Sequence, residues 1–195
     1  MPIQEVLSMS KSDDVATRLR ILLALHCAPI LKGIKAANML AVRVYEAEYI
    51  CRMLGHTGIF CRILKTQGDR CILYVYRKQR LAAYLNRREN REFLKRYGYD
   101  TGDLYGMLAY LSSRIEMYAN GNVEFPHEIG IFLEYPMQDV KGFVENKGEN
   151  FAYSGYWKVY SNVGVAKKTF RAYDEKRELV VREVMRGKSM EEIAS

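Results

Sequence analysis

Two runs rich in β-branched and aromatic residues, Ile59–Thr66 and Cys71–Tyr76, are separated only by Gln67-Gly68-Asp69-Arg70. A Gly-Asp pair between such runs specifies an antiparallel hairpin, because glycine enters the left-handed backbone region of a tight turn without steric cost. The fold must therefore hold a sheet, and the remaining patterns say what surrounds it.

Most of them are helical. Ser12-Asp13-Asp14 forms an N-cap signal, and Val15, Leu19, Leu22, Leu23 and His26 then recur at helical spacing. This helix is expected to end near Cys27, because Pro29 disfavours helical backbone at Ala28. Asn38–Val44 reads as a strand and Glu46–Leu54 as a short helix closed by Gly55. Lys78–Asn86, Glu89–Tyr97 and Gly102–Tyr118 read as helices, the last with a buried stripe of Leu104, Met107, Leu108, Leu111, Ile115 and Tyr118. Glu128–Leu133 reads as a strand, Met137–Asn146 as a helix opened by Pro136, and Gly155–Tyr160 as another strand. A long helix follows over about 165–186, with Ala166, Phe170, Tyr173, Val180 and Val184 on one stripe and Gly187 as its C-cap. The expectation is a mixed α/β (α+β) fold, in which helices flank a small mixed sheet that includes one antiparallel hairpin.

The 195 residues suit a single domain over 1–195, with 1–11 poorly ordered, and such a chain buries enough surface to fold without metal or disulfide. The most apolar stretch, Ile21–Leu25, is far short of the roughly 20 residues of a spanning helix, so no membrane partner is expected. Met1–Asp14 has neither the charge pattern nor the apolar run of a leader, which makes a cytoplasmic location the expectation. Cys27, Cys51, Cys61 and Cys71 form no CxxC pair and have no nearby histidine pair; free thiols are expected and no metal is assigned.

The formal net charge is +7, and Arg77–Arg96 carries most of it. Arg77, Lys78, Arg80, Arg87, Arg88, Arg91, Lys95 and Arg96 face only Glu89 and Glu92, while Tyr84, Phe93 and Tyr97 interleave as possible stacking surfaces for unpaired bases. A nucleic-acid partner is thus the alternative reading of this segment, against a solvated helical hairpin. Arg186–Ala194 resembles the opening of a helix-turn-helix with Ser189 as N-cap, but no recognition helix follows it, so a short capping helix is expected.

Three segments hold more polar and structure-setting residues than packing requires. They are Leu25-His26-Cys27-Ala28-Pro29 through Asn38, Phe125-Pro126-His127-Glu128-Ile129-Gly130-Ile131-Phe132-Leu133-Glu134-Tyr135-Pro136 with its Asp139-Val140-Lys141-Gly142-Phe143 tail, and Gly155-Tyr156-Trp157-Lys158-Val159-Tyr160. In this order they resemble a bacterial family of unknown function, found mainly in anaerobic Gram-positive organisms, over about His26–Tyr173. Glu134 departs from the pattern, which has glycine there. The resemblance implies no activity and leaves a redox or iron-related accessory role open.

The residues themselves suggest three chemistries. Cys27 as nucleophile with His127 as base and Glu128 as orienting acid would suit thiol catalysis, although a helix C-terminus disfavours a thiolate at Cys27. His26 with His127 and Glu128 could supply metal ligands, but His26 falls on the apolar helix face, where a core histidine is the commoner outcome. Lys35, Lys141 and Lys158, with His26, Asn38, Tyr135 and Tyr160 for orientation and Trp157 for stacking, could form one polar pocket for a small anionic ligand. No phosphate-loop motif is present, so the cofactor stays open, as does whether the chain is an enzyme.

Overall fold

The computed structural model of the protein describes residues 11–100 and 102–194. The expected poorly ordered start lies, apart from Lys11, outside the described residues. The fold is mixed α/β, and the chain divides into two compact units. One comprises the described residues up to Lys78 together with those from Arg171 onward; the other is Gln79–Phe170. No helix among the described residues is long and apolar enough to cross a membrane.

The first unit is built on the hairpin. Strands β2 (Phe60–Gln67) and β3 (Arg70–Tyr76) pair across the turn at Gly68, with a register shift between Ile63 and Lys65; the Gly68 φ of 61° is the left-handed conformation the Gly-Asp turn demands. Strand β1 (Ala37–Arg43) pairs with the other edge of β3, so the order is β1-β3-β2 and every pairing is antiparallel. Strand β3 is buried from Leu73 to Tyr76 rather than on alternate residues: Leu73 and Val75 join the core on one face, and the Tyr74 and Tyr76 rings stack on the other. Helix α1 (Val15–Leu31) opens on Asp14, whose carboxylate accepts from the backbone N–H groups of Ala16 and Thr17. It does not stop near Cys27 but runs through Pro29 to Leu31. Cys27 to Leu31 are all buried, and the burial of that apolar turn outweighs the one backbone bond a late proline removes. Helix α2 (Val44–Met53) follows β1 directly.

The second unit contains α3 (Lys78–Leu85, from its second residue), α4 (Arg88–Lys95), α5 (Leu104–Ala119), α6 (Ile129–Phe132) and α7 (Met137–Glu145), with a short hairpin of β4 (Tyr153–Ser154) and β5 (Lys158–Val159). On α5 the stripe of Met107, Leu108, Leu111 and Ile115 is buried as expected, but Tyr118 is 46% exposed. Two strand expectations need correction here. Glu128–Leu133 forms a single helical turn, because Pro126 and His127 start i→i+3 carbonyl bonding (Ile129 N–H to Pro126, Gly130 N–H to His127) that a strand cannot make. Gly155–Tyr160 is half turn: the Gly155 N–H bonds the Trp157 carbonyl, reversing the chain between β4 and β5.

Helix α8 (Val163–Met185) contributes residues to both units, and its expected stripe is buried throughout. Gly187, at φ 82°, ends it in the left-handed conformation of a C-cap. Helix α9 (Met190–Ala194) is the short terminal helix, opened by Ser189 in a reciprocal bond pair with Glu192.

Candidate ligand-binding site

In the second unit the motif Pro126–Pro136, its Asp139–Phe143 tail and the Trp157 turn converge because one carboxylate ties them together. Asp139, 3% exposed on α7, accepts through Oδ2 from the Trp157 indole N–H (2.8 Å) and through Oδ1 from the N–H groups of Tyr160 and Ser161 (2.9 Å each) and the Ser161 hydroxyl (3.0 Å). Four donors satisfy the buried carboxylate, and in doing so fix the turn that carries Trp157.

Glycines let the backbones close up around this latch. A Cβ on Gly142 of α7 would stand 2.5 Å from the Tyr160 Cβ and Cγ, and one on Gly155 would overlap the Phe170 ring. Gly142→Ala is therefore expected to cost about 1–3 kcal/mol, the usual penalty of overpacking, measured as a lower urea midpoint. Unchanged stability would mean that Tyr160 swings aside freely.

Trp157 stacks on Tyr135 (centroids 5.2 Å apart, 29° between planes) and meets Phe170 edge-on at 4.5 Å. Tyr135 in turn is held by its carbonyl, which accepts from the Tyr84 hydroxyl at 2.5 Å, and by its N–H on the Gly130 carbonyl. Against this aromatic wall lies a cavity of about 190 Å³, closed by Phe125, Ile129, Val140 and Phe143 and bordered by His127, Lys158 and the already saturated Asp139. The His127 ring sits between Phe125 (5.3 Å) and Phe143 (5.1 Å). Lys158 donates to the Gly148 carbonyl at 2.7 Å, with its ammonium 4.8 Å from the Phe151 ring centre.

The cavity thus brings together His127, Tyr135, Trp157 and Lys158 from the anticipated set. Its walls are mainly apolar, where a polar pocket was expected. Lys141 is exposed and borders a separate depression with Phe93, Arg96 and Tyr97. Tyr160 packs over Gly142, and its hydroxyl has no hydrogen-bond partner among the described residues. Asp139 and Phe143 lie in the same motif tail and line the cavity too, and no spacing along the chain marks either of them for that place.

His26, Cys27, Lys35 and Asn38 belong to the first unit. His26 is exposed on α1, where the sequence pattern placed it on the buried face. Asn38 donates to the His26 carbonyl at 2.7 Å and accepts from the Lys35 ammonium at 3.4 Å, a chain that fastens the end of α1 to β1. Cys27 is 1% exposed, and burial pushes its thiol up to about 12 despite the nearby Lys35, so it stays protonated at neutral pH. Glu128 does not line the cavity: fully buried, it accepts from Arg114 (3.0 Å) and the Tyr99 hydroxyl (3.1 Å). Among the described residues no group of three or more His, Cys, Asp or Glu is placed to hold a metal ion.

The basic segment is partly consumed inside the fold. Arg77 donates to the carbonyls of Ile30, Leu31 and Ala194, and so caps the ends of α1 and α9. Arg80 forks onto Glu134 at 2.9 and 3.1 Å, Arg88 pairs with Glu92, and Arg87 lies over the Tyr84 ring. Arg91, Lys95 and Arg96 are exposed. Glu134 itself has φ 61°, the conformation that glycine adopts most easily, and its bonds to Arg80 offset part of that strain.

Among known proteins, one family model matches the chain, across residues 23–194, and its description assigns no activity: "Protein of unknown function (DUF3793)". No curated protein and no solved structure matches.

Proposed function

The chain belongs to the DUF3793 family, whose function is unknown, and we propose on that footing that it binds a small ring-bearing molecule with an anionic group. The observation that carries this reading is the cavity of about 190 Å³ walled by Phe125, Tyr135, Phe143 and Trp157, with His127 and Lys158 as the polar groups at its border. A dry apolar cavity of about 150 Å³ accepts a benzene ring, so this one has room for a ring with a short substituent. Stacking surfaces would hold the ring. The Lys158 ammonium has three protons and gives one to Gly148, leaving donors for a carboxylate or phosphate beside the His127 imidazole. The His26–Asn38 segment is not part of this reading.

Trp157 is the only tryptophan in the sequence, so the site carries its own probe. Titration with benzoate, phenyl phosphate and indole-3-acetate is expected to change the intrinsic fluorescence, with neutral benzamide binding more weakly. Lys158→Met should weaken the anions about tenfold, the worth of a charge-assisted hydrogen bond, while leaving benzamide unaffected. A fluorescence signal indifferent to every probe at millimolar concentration would end the proposal.

A further inference from the structure

The depression beside Lys141, about 300 Å³ in volume, lies within the second unit between α4 and α7 and shares no lining residue with the cavity at Trp157. Each of its sides is one helical face. Phe93, Arg96 and Tyr97 stand three and four residues apart along α4 and the turn that closes it, where the Arg96 and Tyr97 N–H groups bond the Phe93 and Leu94 carbonyls at 3.1 and 2.9 Å. Lys141, Val144 and Glu145 repeat that spacing on α7. We propose that this depression binds single-stranded nucleic acid, an unpaired base lying against Phe93 and Tyr97 while Arg96 and Lys141 hold the flanking phosphates.

The aromatic floor is held in place by the fold itself. The Phe93 and Tyr97 rings are 5.1 Å apart, and the Arg114 guanidinium, paired with Glu128, stands 6.0 Å from the Tyr97 ring centre. The Tyr97 carbonyl accepts from the Tyr110 hydroxyl at 3.3 Å. Tyr97 is only half-buried, so part of its ring is open to a base. Bases within a duplex are already stacked and cannot enter a depression, which selects the single strand.

Charge argues for a strand over a free nucleotide. Arg96 and Lys141 are exposed cations on separate elements, and Glu145 offsets one of them. Arg91 and Lys95, also exposed, continue the positive charge outside the depression; four residues apart, they share one side of α4 over about 6 Å of its axis. The single phosphate of a mononucleotide cannot meet both groups of cations, whereas successive phosphates of a strand can.

The test is fluorescence anisotropy of a labelled oligo(dT) of about 20 nucleotides with the intact chain, over a series of salt concentrations. Binding is expected with a dissociation constant of roughly 10 μM at low salt, weakening steeply as salt is added. Lys141→Gln and Arg96→Gln should each weaken it about fivefold and flatten the log–log salt slope by about 0.7, the share of one phosphate contact. Tyr97→Leu should weaken it about tenfold and leave the slope unchanged. Arg186→Gln, an equal loss of charge at an exposed site in the first unit, should change neither. Urea midpoints establish that each variant is folded. Absence of binding would overturn the proposal, as would equal affinity for the duplex, for polyglutamate or for thymidine monophosphate. So would Lys141→Gln and Arg96→Gln variants that behave like Arg186→Gln. The benzoate titration at Trp157 should be unaltered in Lys141→Gln, so each of the two sites can fail without the other.

Discussion

Replacing Asp139 by alanine is expected to lower the stability of the protein by about 3–5 kcal/mol. The carboxylate is the common acceptor for the Trp157 indole, two backbone N–H groups and the Ser161 hydroxyl, and its removal leaves those donors facing an apolar void. Each buried donor left without a partner costs about 1–3 kcal/mol, and partial entry of water keeps the total below the simple sum. Asp139→Asn should fall between the two: one oxygen can still serve the backbone donors, but its NH₂ group then meets the Trp157 N–H. Urea unfolding followed by Trp157 fluorescence measures both variants, and hydrogen exchange should show early loss of protection at Tyr160 and Ser161. Because the same latch places Trp157 in the cavity wall, the Asp139→Ala variant should also lose the fluorescence response to aromatic anions. A loss of stability under 1 kcal/mol would show that the turn from Trp157 to Ser161 holds its shape without the carboxylate.

A comparable loss, about 3–5 kcal/mol, is expected for Arg114→Met. The Glu128 side chain is fully buried and the Arg114 side chain is only 18% exposed, so the variant strands a carboxylate in the interior with the Tyr99 hydroxyl as its remaining partner. The penalty comes from the orphaned charge more than from the lost attraction. Arg114→Met combined with Glu128→Met should therefore recover more than half of the stability, since packed apolar residues replace a buried pair at little cost. Chemical denaturation of the two single variants and the double variant closes the cycle. If the double variant is no more stable than Arg114→Met, Glu128 contributes through contacts other than this pair. On this account Glu128, a candidate orienting acid by its place beside His127, stabilises the turn that carries His127 rather than facing the cavity.

How far the sequence could be read depended on whether a signal was local. The Gly68-Asp69 turn, the Asp14 cap, the long α8 stripe and Gly187 each rest on contacts within a few residues of the chain, where backbone sterics and side-chain spacing decide the outcome. Pro29 and Glu128–Leu133 show where local preference loses. Proline disfavours the preceding helical residue, yet five consecutive buried residues keep α1 intact to Leu31. The apolar run Ile129–Leu133 fits a strand as well as a buried turn of helix, and periodicity cannot separate the two over so short a stretch.

The site obeyed the same division. That His127, Tyr135, Trp157 and Lys158 are functional candidates was legible from three unusual segments, and two of those segments do meet around one cavity. What holds them there was not legible. Asp139 bonds residues 18 to 22 positions away, and nothing along the chain distinguishes a carboxylate that will accept four buried bonds from one that will face water. By itself the sequence determined the hairpin, the helix caps and the long helices, where the signal lies within a few residues. Partnership between distant polar groups was decided by tertiary packing, because only the excluded water of a finished core makes one particular acceptor indispensable to those donors.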